Sequence, residues 1–318
     1  MNNESAVDTS QDQQSQINQI IIDYIREQKR KRRWQLLFRS LALIFILFVL
    51  YQILTEGVKA KQAILKPHVG LIDLKGTISD TDTGNADNFA QGLEKAYKSD
   101  GLKALIIRIN SPGGSPVQAE YMFNAIRHYQ GKYPKVKVYA VCVDLCASAA
   151  YYVAAAADEI YASPASMVGS IGVLYNGFGF VDSLQKLGMT RRLVTAGSNK
   201  GFLDPFSPVD TAQEQKLQTM LDLIHKQFID RVKEGRGSRL HEDEDTFSGL
   251  FWTGEQSLSR GLIDGFASTG QLAREVIKLD EVIDYTYKPN YLDQFAKNLG
   301  ASLVSALTEA LGLQPAIR

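Results

Sequence analysis

The chain has 318 residues, 45% hydrophobic and 9% aromatic, which is ample for one large domain or two modest ones with a sizeable core. Its 35 basic and 35 acidic residues cancel, so the overall charge gives no reason to expect a nucleic-acid partner. The sequence shows no phosphate loop and no spaced cluster of metal ligands, so no metal or cofactor is expected.

Residues 1 to 16 are polar, rich in Gln, Asn, Ser and Asp, and read as a disordered tail. An amphipathic stretch follows at Ile17, Ile20, Ile21, Tyr24 and Ile25, and then a basic block from Lys29 to Arg33. Trp34 opens an apolar run, Leu36 to Leu54, broken only by Arg39, Ser40 and Gln52. At about 1.5 Å per residue such a run spans roughly 28 Å, close to the hydrocarbon thickness of a bilayer. Arg39 lies near the basic end, where its stem can snorkel, and Trp34 and Tyr51 suit the two interfaces. The expected organisation is a cytoplasmic tail and basic block over 1–33, a transmembrane signal anchor over 34–54 and a linker over 55–67. The positive-inside rule then places everything beyond about Thr55 on the far side of the membrane. Val58-Lys59-Ala60 also loosely fits a small-x-small cleavage site, the alternative of a removed signal peptide.

From His68 onward short apolar runs alternate with helical stretches. The runs Val69 to Leu74, Leu102 to Ile109, Val136 to Val143 and Met167 to Leu174 predict strands of an α/β domain, 68–288, with a largely parallel sheet. Ser115-Pro-Val-Gln118 reads as a helix start with a capping-box partner at Gln118, ahead of an apolar face of Met122, Ala125, Ile126 and Tyr129. Thr211 opens a longer helix with Leu217, Leu221, Ile224 and Phe228 on one face and Gly235 as terminator, and Thr253-Gly-Glu-Gln256 opens another that ends at Gly261. Residues 289–318 form an amphipathic C-terminal helix in this reading, with Phe295, Leu299, Leu303, Leu307 and Leu311 four apart. It suits a neighbouring subunit, a membrane surface or the domain itself.

Cys142 and Cys146 are the only cysteines and read as buried small apolar residues. On an extended strand their Cα atoms would lie about 13 Å apart, beyond a disulfide, unless the chain turns between them.

Ser148 stands where the strand-like Val136 to Val143 gives way to an alanine-rich, helix-like segment, Ser148 to Ala157. A hydroxyl at a strand-to-helix junction, with helix N–H groups pointing at it, is a common setting for an acyl-transfer nucleophile. The four histidines, His68, His128, His225 and His241, stand in no recognisable catalytic setting, which leaves open which base could serve Ser148. Asn110-Ser-Pro-Gly-Gly114 follows a strand and precedes the helix at Ser115. Its paired glycines fit either a plain turn or the N–H donors of an oxyanion hole.

Taken with Ser148, with Val168-Gly-Ser-Ile-Gly172 and with Ala196-Gly-Ser-Asn-Lys-Gly-Phe-Leu-Asp-Pro-Phe206, this segment resembles the SppA-type signal peptide peptidases in order and spacing. These are membrane-bound serine proteases of the ClpP/crotonase-like fold, built from repeated β-β-α units. The similarity is to the single-domain proteobacterial form and covers roughly residues 68 to 268 together with the anchor. It implies Ser148 as nucleophile, Lys200 as general base and Ser170 as a hydroxyl that orients or relays to the lysine. Gly113 or Gly114, with the backbone of Ala149, would supply the oxyanion donors. Ser170 between two glycines equally fits a tight strand end. A lysine base near neutrality needs its pKa lowered by about 3 units from 10.4, roughly 4 kcal/mol against the ammonium form, and burial beside Phe202 and Leu203 is the expected source.

The family usually carries glycine where this chain has Ala149. Alanine would cost about 1 kcal/mol or more if that position were left-handed, or would narrow the channel if the glycine serves clearance. The resemblance further implies a homo-oligomer, an octamer, in which Ser148 works with Lys200 of a neighbour. The enzyme would sit in the bacterial inner membrane, single-pass, with a cytoplasmic N-terminus and a periplasmic catalytic domain. It would degrade remnant signal peptides and other unfolded peptides. Two other readings share the fold: a crotonase-like acyl-CoA enzyme, and a non-catalytic membrane scaffold.

Overall fold

A computed structural model describes residues 26–34, 36–49, 51–52 and 64–288. The chain divides into two units, residues 1–63 and 64–318. In the first unit the described residues are helical and exposed, including Leu37, Phe38, Leu41, Ile44 and Phe45. Among the described residues no helix is long and apolar enough to cross a membrane. Residues 35, 50, 53 and 54 of the expected 34–54 anchor lie outside the described residues, as do the tail 1–16, the stretch 17–25 and the expected helix 289–318.

The second unit is an α/β domain around an eight-stranded sheet. The strands are β1 (His68–Lys75), β2 (Leu102–Ser111), β3 (Lys137–Ala147), β4 (Glu159–Ala162), β5 (Met167–Gly169), β6 (Phe251–Thr253), β7 (Gly265–Phe266) and β8 (Val282–Asp284). Their order is β6-β5-β3-β2-β1-β8, with β4 also pairing β3 and β7, and every pair is parallel except β5 with β6. The helices are α1 (Ala86–Tyr97), α2 (Pro116–Lys132), α3 (Ala149–Ala154), α4 (Val181–Lys186), α5 (Thr211–Arg236) and α6 (Gly254–Ser259), with short helical turns beyond them. Helices separate β1 through β4 one by one, so a β-β-α succession occurs only at β4, β5 and α4.

Both sheet faces are covered, which explains the near-continuous apolar runs. Ile72, Leu74, Leu105, Ile107, Val138 and Ala140 point into the larger core with α1, α2 and α3, whereas Val69, Leu71, Ile106 and Val141 point into a smaller one with Leu272 and Ala273.

The third strand is longer than its apolar pattern suggests, and it changes partner along its length. Its residues 139–142 pair with β4, while 145–147 pair with β5. On the β2 side the ladder skips from Ile109↔Cys142 to Ser111↔Cys146, so that 143–145 face Asn110 alone. Polar side chains close the gap. Asn110 Oδ1 accepts the Leu145 N–H at 3.1 Å and its Nδ2 donates to Asp144 at 2.8 Å. On the other side Ser166 Oγ donates toward the carbonyls of Cys142 and Val143. The bulge also corrects the separation expected for the cysteines. Their partners Ile109 and Ser111 are two positions apart, a span of about 7 Å rather than 13 Å. Both thiols are free and buried, and burial, then the neighbouring Cys142, pushes the Cys146 thiol up.

Helix boundaries follow local chemistry. Ser115 caps α2 through its bond from Gln118 N, but Gln118 Oε1 accepts the Ala86 N–H at 2.8 Å and so ties α1 to α2 instead of completing a capping box. Asp210, rather than Thr211, caps α5. Gly235 lies inside α5, and its place is explained by packing: a Cβ there would come within 1.8 Å of the Ala155 carbonyl. The helix stops at Gly237, with φ +53°. Thr253 and Gln256 form the expected capping box of α6, and Gly261 follows with φ +69°.

The end of α5 is fixed by Arg236, 1% exposed, whose Nη1 and Nη2 donate to Asp264 at 2.8 and 2.9 Å and whose Nε donates to Gly261 O at 2.7 Å. Asp264 also accepts the Ile160 N–H of β4. Burial pushes the Asp264 carboxyl up, yet the Arg236 guanidinium, the Ile160 N–H and Arg239 outweigh it and hold the group below the usual carboxylate range. A depressed folded pKa contributes stability that is present above the unfolded value of about 3.9 and lost as pH falls through the folded one. Asp264→Asn should therefore cost about 3–5 kcal/mol in urea unfolding at pH 7, by stranding a buried guanidinium. That deficit should begin to shrink as pH falls below about 3.9, where the unfolded-state carboxyl takes up its proton, and should close only once pH has passed below the depressed folded value.

Candidate active site

Ser148 sits at the tip of the partner-switching strand, between β3 and α3, with φ +56° and ψ −129°. A non-glycine residue there costs about 1–2 kcal/mol, so the surroundings must hold it. They do so through the backbone: Ser148 N–H donates to Gly169 O at 2.8 Å and Ser148 O accepts from Tyr152 N–H at 3.1 Å. Its hydroxyl makes no cap bond to α3, which leaves Oγ unengaged on the wall of a cavity of about 840 Å³. Of the two alternatives for Ala149, strain does not apply, because the left-handed residue is Ser148, one position earlier. Ala149 is the first helical residue of α3, is not among the positive-φ residues, and lines the same cavity.

Gly113 and Gly114 approach this point closely. A Cβ on Gly113, at φ +98°, would lie 2.7 Å from Ser148 Cβ and 2.8 Å from Ala149 N; one on Gly114, at φ +146°, would lie 2.1 Å from Ile78 O. Glycine is therefore needed at both positions for clearance. Their N–H groups differ. That of Gly113 donates to the buried Ser111 Oγ at 3.1 Å, whereas Gly114 lines the cavity and its N–H has no partner among the described residues. The Ala149 N–H, first in its helix, has no intrahelical acceptor.

Ser170 lines the same cavity, just past the end of β5, also left-handed at φ +51°. Its N–H donates to Leu250 O at 2.8 Å. The opposite wall comes from α2, α3 and α5. Glu120 accepts from Arg231 Nη2 at 2.6 Å, from Asn124 at 2.9 Å and from the Tyr152 hydroxyl. Burial pushes Glu120 up, but Arg231, Tyr152 and Asn124 hold it below its ordinary range. A carboxylate so engaged is a wall of the cavity, not a free base. Ile224 and Phe228 add apolar surface, and Phe228 packs on Tyr152 at 4.9 Å between ring centroids.

His225 lines the cavity as well, with Nε2 3.0 Å from Ile171 O. The sequence reading passed over it. The available signal was its place beside Ile224 and one turn before Phe228, on the edge of the apolar stripe of α5. The other histidines stand elsewhere: His68 is buried between Lys66 O and Tyr285 Oη, His241 bonds Ser259 O, and His128 packs edge-on to Tyr129.

The structure thus brings together Ser148, Ser170, Gly114 and Ala149, with Gly113 packed behind them. Lys200 does not line the cavity. It is exposed in a turn, its N–H donating to Gly197 O at 3.1 Å, within a stretch rich in exposed apolar side chains such as Leu174, 80% exposed, and Val194, 94% exposed. Leu193 packs over neighbouring Gly201.

Residues 131–283 match the model of Peptidase family S49. That match covers just under half of the chain, and over it the chain is similar to the S49 peptidases. The matched span contains Ser148, Ser170 and Lys200 and begins after the Asn110 to Gly114 segment. Its relatives include the chloroplastic serine protease SPPA of Arabidopsis thaliana, 28% identical over 69% of this chain and 32% of its own length. Protease 4 of Haemophilus influenzae is 26% identical over 75% of this chain and 39% of its own. A Na(+)/H(+) antiporter NhaA of Brucella melitensis is 48% identical over 54% of this chain, a match confined to 23% of the antiporter's length. The chain therefore spans well under two thirds of each of these relatives. Among solved structures, a 1510-N membrane-bound stomatin-specific protease with a substrate peptide aligns over 74% of this chain and 98% of its own at 18% identity and a TM-score of 0.45.

The close packing behind Ser148 yields a paired test. Gly113→Ala should lower stability by about 2–4 kcal/mol, combining left-handed strain with the clash at Ser148. Gly131→Ala, in α2 with nothing within 4 Å of the added methyl, should be neutral or stabilising in the same urea titration.

Proposed function

We propose that the chain is a membrane-anchored serine endopeptidase that degrades remnant signal peptides and other unfolded peptides, acting from the bacterial inner membrane on the periplasmic side. The observation that carries this reading is Ser148: a hydroxyl free of any capping role, held left-handed at a strand-to-helix junction, with two unpartnered N–H groups and Ser170 on the same cavity. In this mechanism a neutral Lys200 amine takes the Ser148 proton, directly or through Ser170, as Oγ attacks the substrate carbonyl. The Gly114 and Ala149 N–H groups receive the developing oxyanion. Gly113 keeps its N–H on Ser111 and serves by clearance. The tetrahedral intermediate collapses as the proton held on Lys200 passes to the leaving amine, and water then hydrolyses the acyl-enzyme.

Lys200 belongs, in this proposal, to a neighbouring copy. Its exposure in the protomer, amid uncovered apolar residues, supports a contact that both buries the lysine and brings it to Ser148. A closed homo-oligomer, an octamer, supplies one such contact per site. The anchor is the apolar run 34–54, its basic block keeping the N-terminus cytoplasmic. The test is labelling of the full chain with a fluorophosphonate, read by mass spectrometry. Wild type should be modified on Ser148 and Ser148→Ala should not. An intact oligomer that resists labelling would contradict the reading and return weight to an acyl-CoA enzyme or a scaffold of similar fold.

A further inference from the structure

The turn that carries Ser170 is held in an unfavourable backbone path. Gly169 and Ser170 are consecutive left-handed residues, at φ +109° and +51°. Three backbone bonds fix it: Ser148 N–H to Gly169 O at 2.8 Å, Ser170 N–H to Leu250 O at 2.8 Å and Gly172 N–H to Ser170 O at 2.9 Å. The next carbonyl, of Ile171, takes its hydrogen bond from a side chain on a different layer of the fold, His225 of α5, at 3.0 Å.

We propose that His225 is a positioning residue, whose Nε2–H holds the Ile171 carbonyl and thereby the orientation of the Ser170 hydroxyl on the cavity. To donate to a carbonyl, Nε2 must carry the proton, which leaves Nδ1 as the acceptor in the neutral ring. The ring is well placed for this. Phe228, one turn on, is buried and packs against Tyr152, itself one turn along α3 from Ser148, so α5 is keyed to the helix that follows the nucleophile. His225 then extends that key to the second serine. Without the bond, the Ile171 carbonyl at the cavity edge would turn toward water, and the strained residues before it would relax.

The inference rests on the reading that Ser148 and Ser170 work in one reaction, and its experiment separates the two. Fluorophosphonate labelling rates at Ser148 are compared for wild type, His225→Phe, Ser170→Ala and the double variant, all as full-length oligomers. Phenylalanine keeps the ring volume and removes the donor. The expected result is a roughly ten-fold slower rate for His225→Phe, with little further loss when it is added to Ser170→Ala, because both act through one group. His225→Gln, whose amide reaches the same acceptor, should restore the rate to within about three-fold of wild type. Should His225→Phe not assemble, His225→Asn, whose shorter amide falls short of Ile171, takes its place. Equal rates for His225→Phe and wild type would overturn the inference, as would full additivity with Ser170→Ala or a His225→Gln variant as slow as His225→Phe. A wild type that is not labelled at all overturns the proposed function and this inference with it.

Discussion

The forking of β3 is the constraint from which the site follows. A parallel strand buried on both faces ordinarily keeps its partners to the end. Here the strand leaves β4 after Cys142 and joins β5 at Leu145, and a site at such a divergence is the general habit of open α/β sheets. The crossing leaves backbone groups without ladder partners, and Asn110 and Ser166 satisfy them from the two sides. What emerges is a strand tip aimed past the sheet, with Ser148 held left-handed and Gly113 of the β2–α2 loop so close that no side chain fits between, while Gly114 is pressed against Ile78. The strain at Ser148 is local, while the forces that maintain it are distributed over β2, β3, β5 and α3.

The proposed partner of Ser148, Lys200, lies in a region whose side chains are exposed in the protomer. Past Ser170 the chain has little regular structure until Thr211, and its apolar side chains face outward. In the proposed Ser-Lys pairing, the described protomer has the Ser148 half preorganised, while the exposed Lys200 lacks the desolvation a lysine base requires. Assembly is the step in our account that removes water from Lys200 and delivers it. Reactivity is then tied to oligomerisation, which would restrain an unassembled protomer from acting on exported chains.

Much of this was legible in the sequence, for identifiable reasons. The apolar runs marked β1 and β2 because those strands are buried on both faces, and Thr253 and Gln256 marked α6 because a capping box is a local device. Ser148 was legible because the periodicity changes there. Features set by tertiary contact were not. The extension of β3 through Ala147 depends on a bulge across from Asn110, and Gly235 resembles a helix terminator until Ala155 is seen against it. Ala149 in place of the usual glycine left open either strain or a narrowed channel; helix α3 begins there and the strain falls on the serine itself. The place of His225 on the edge of the α5 stripe was legible, but its hydrogen bond was not, since the acceptor is a carbonyl 54 residues away.

The central claim, that Ser148 of one copy works with Lys200 of another, is tested most directly by mixing. Ser148→Ala and Lys200→Ala proteins, each inactive alone, are co-assembled through a denaturation and refolding cycle, and peptide hydrolysis is measured with hetero-oligomer formation confirmed by native mass spectrometry. The account predicts that activity returns in the mixed assemblies, because some interfaces then pair an intact serine with an intact lysine. Mixed assemblies that stay as inactive as either parent would contradict it.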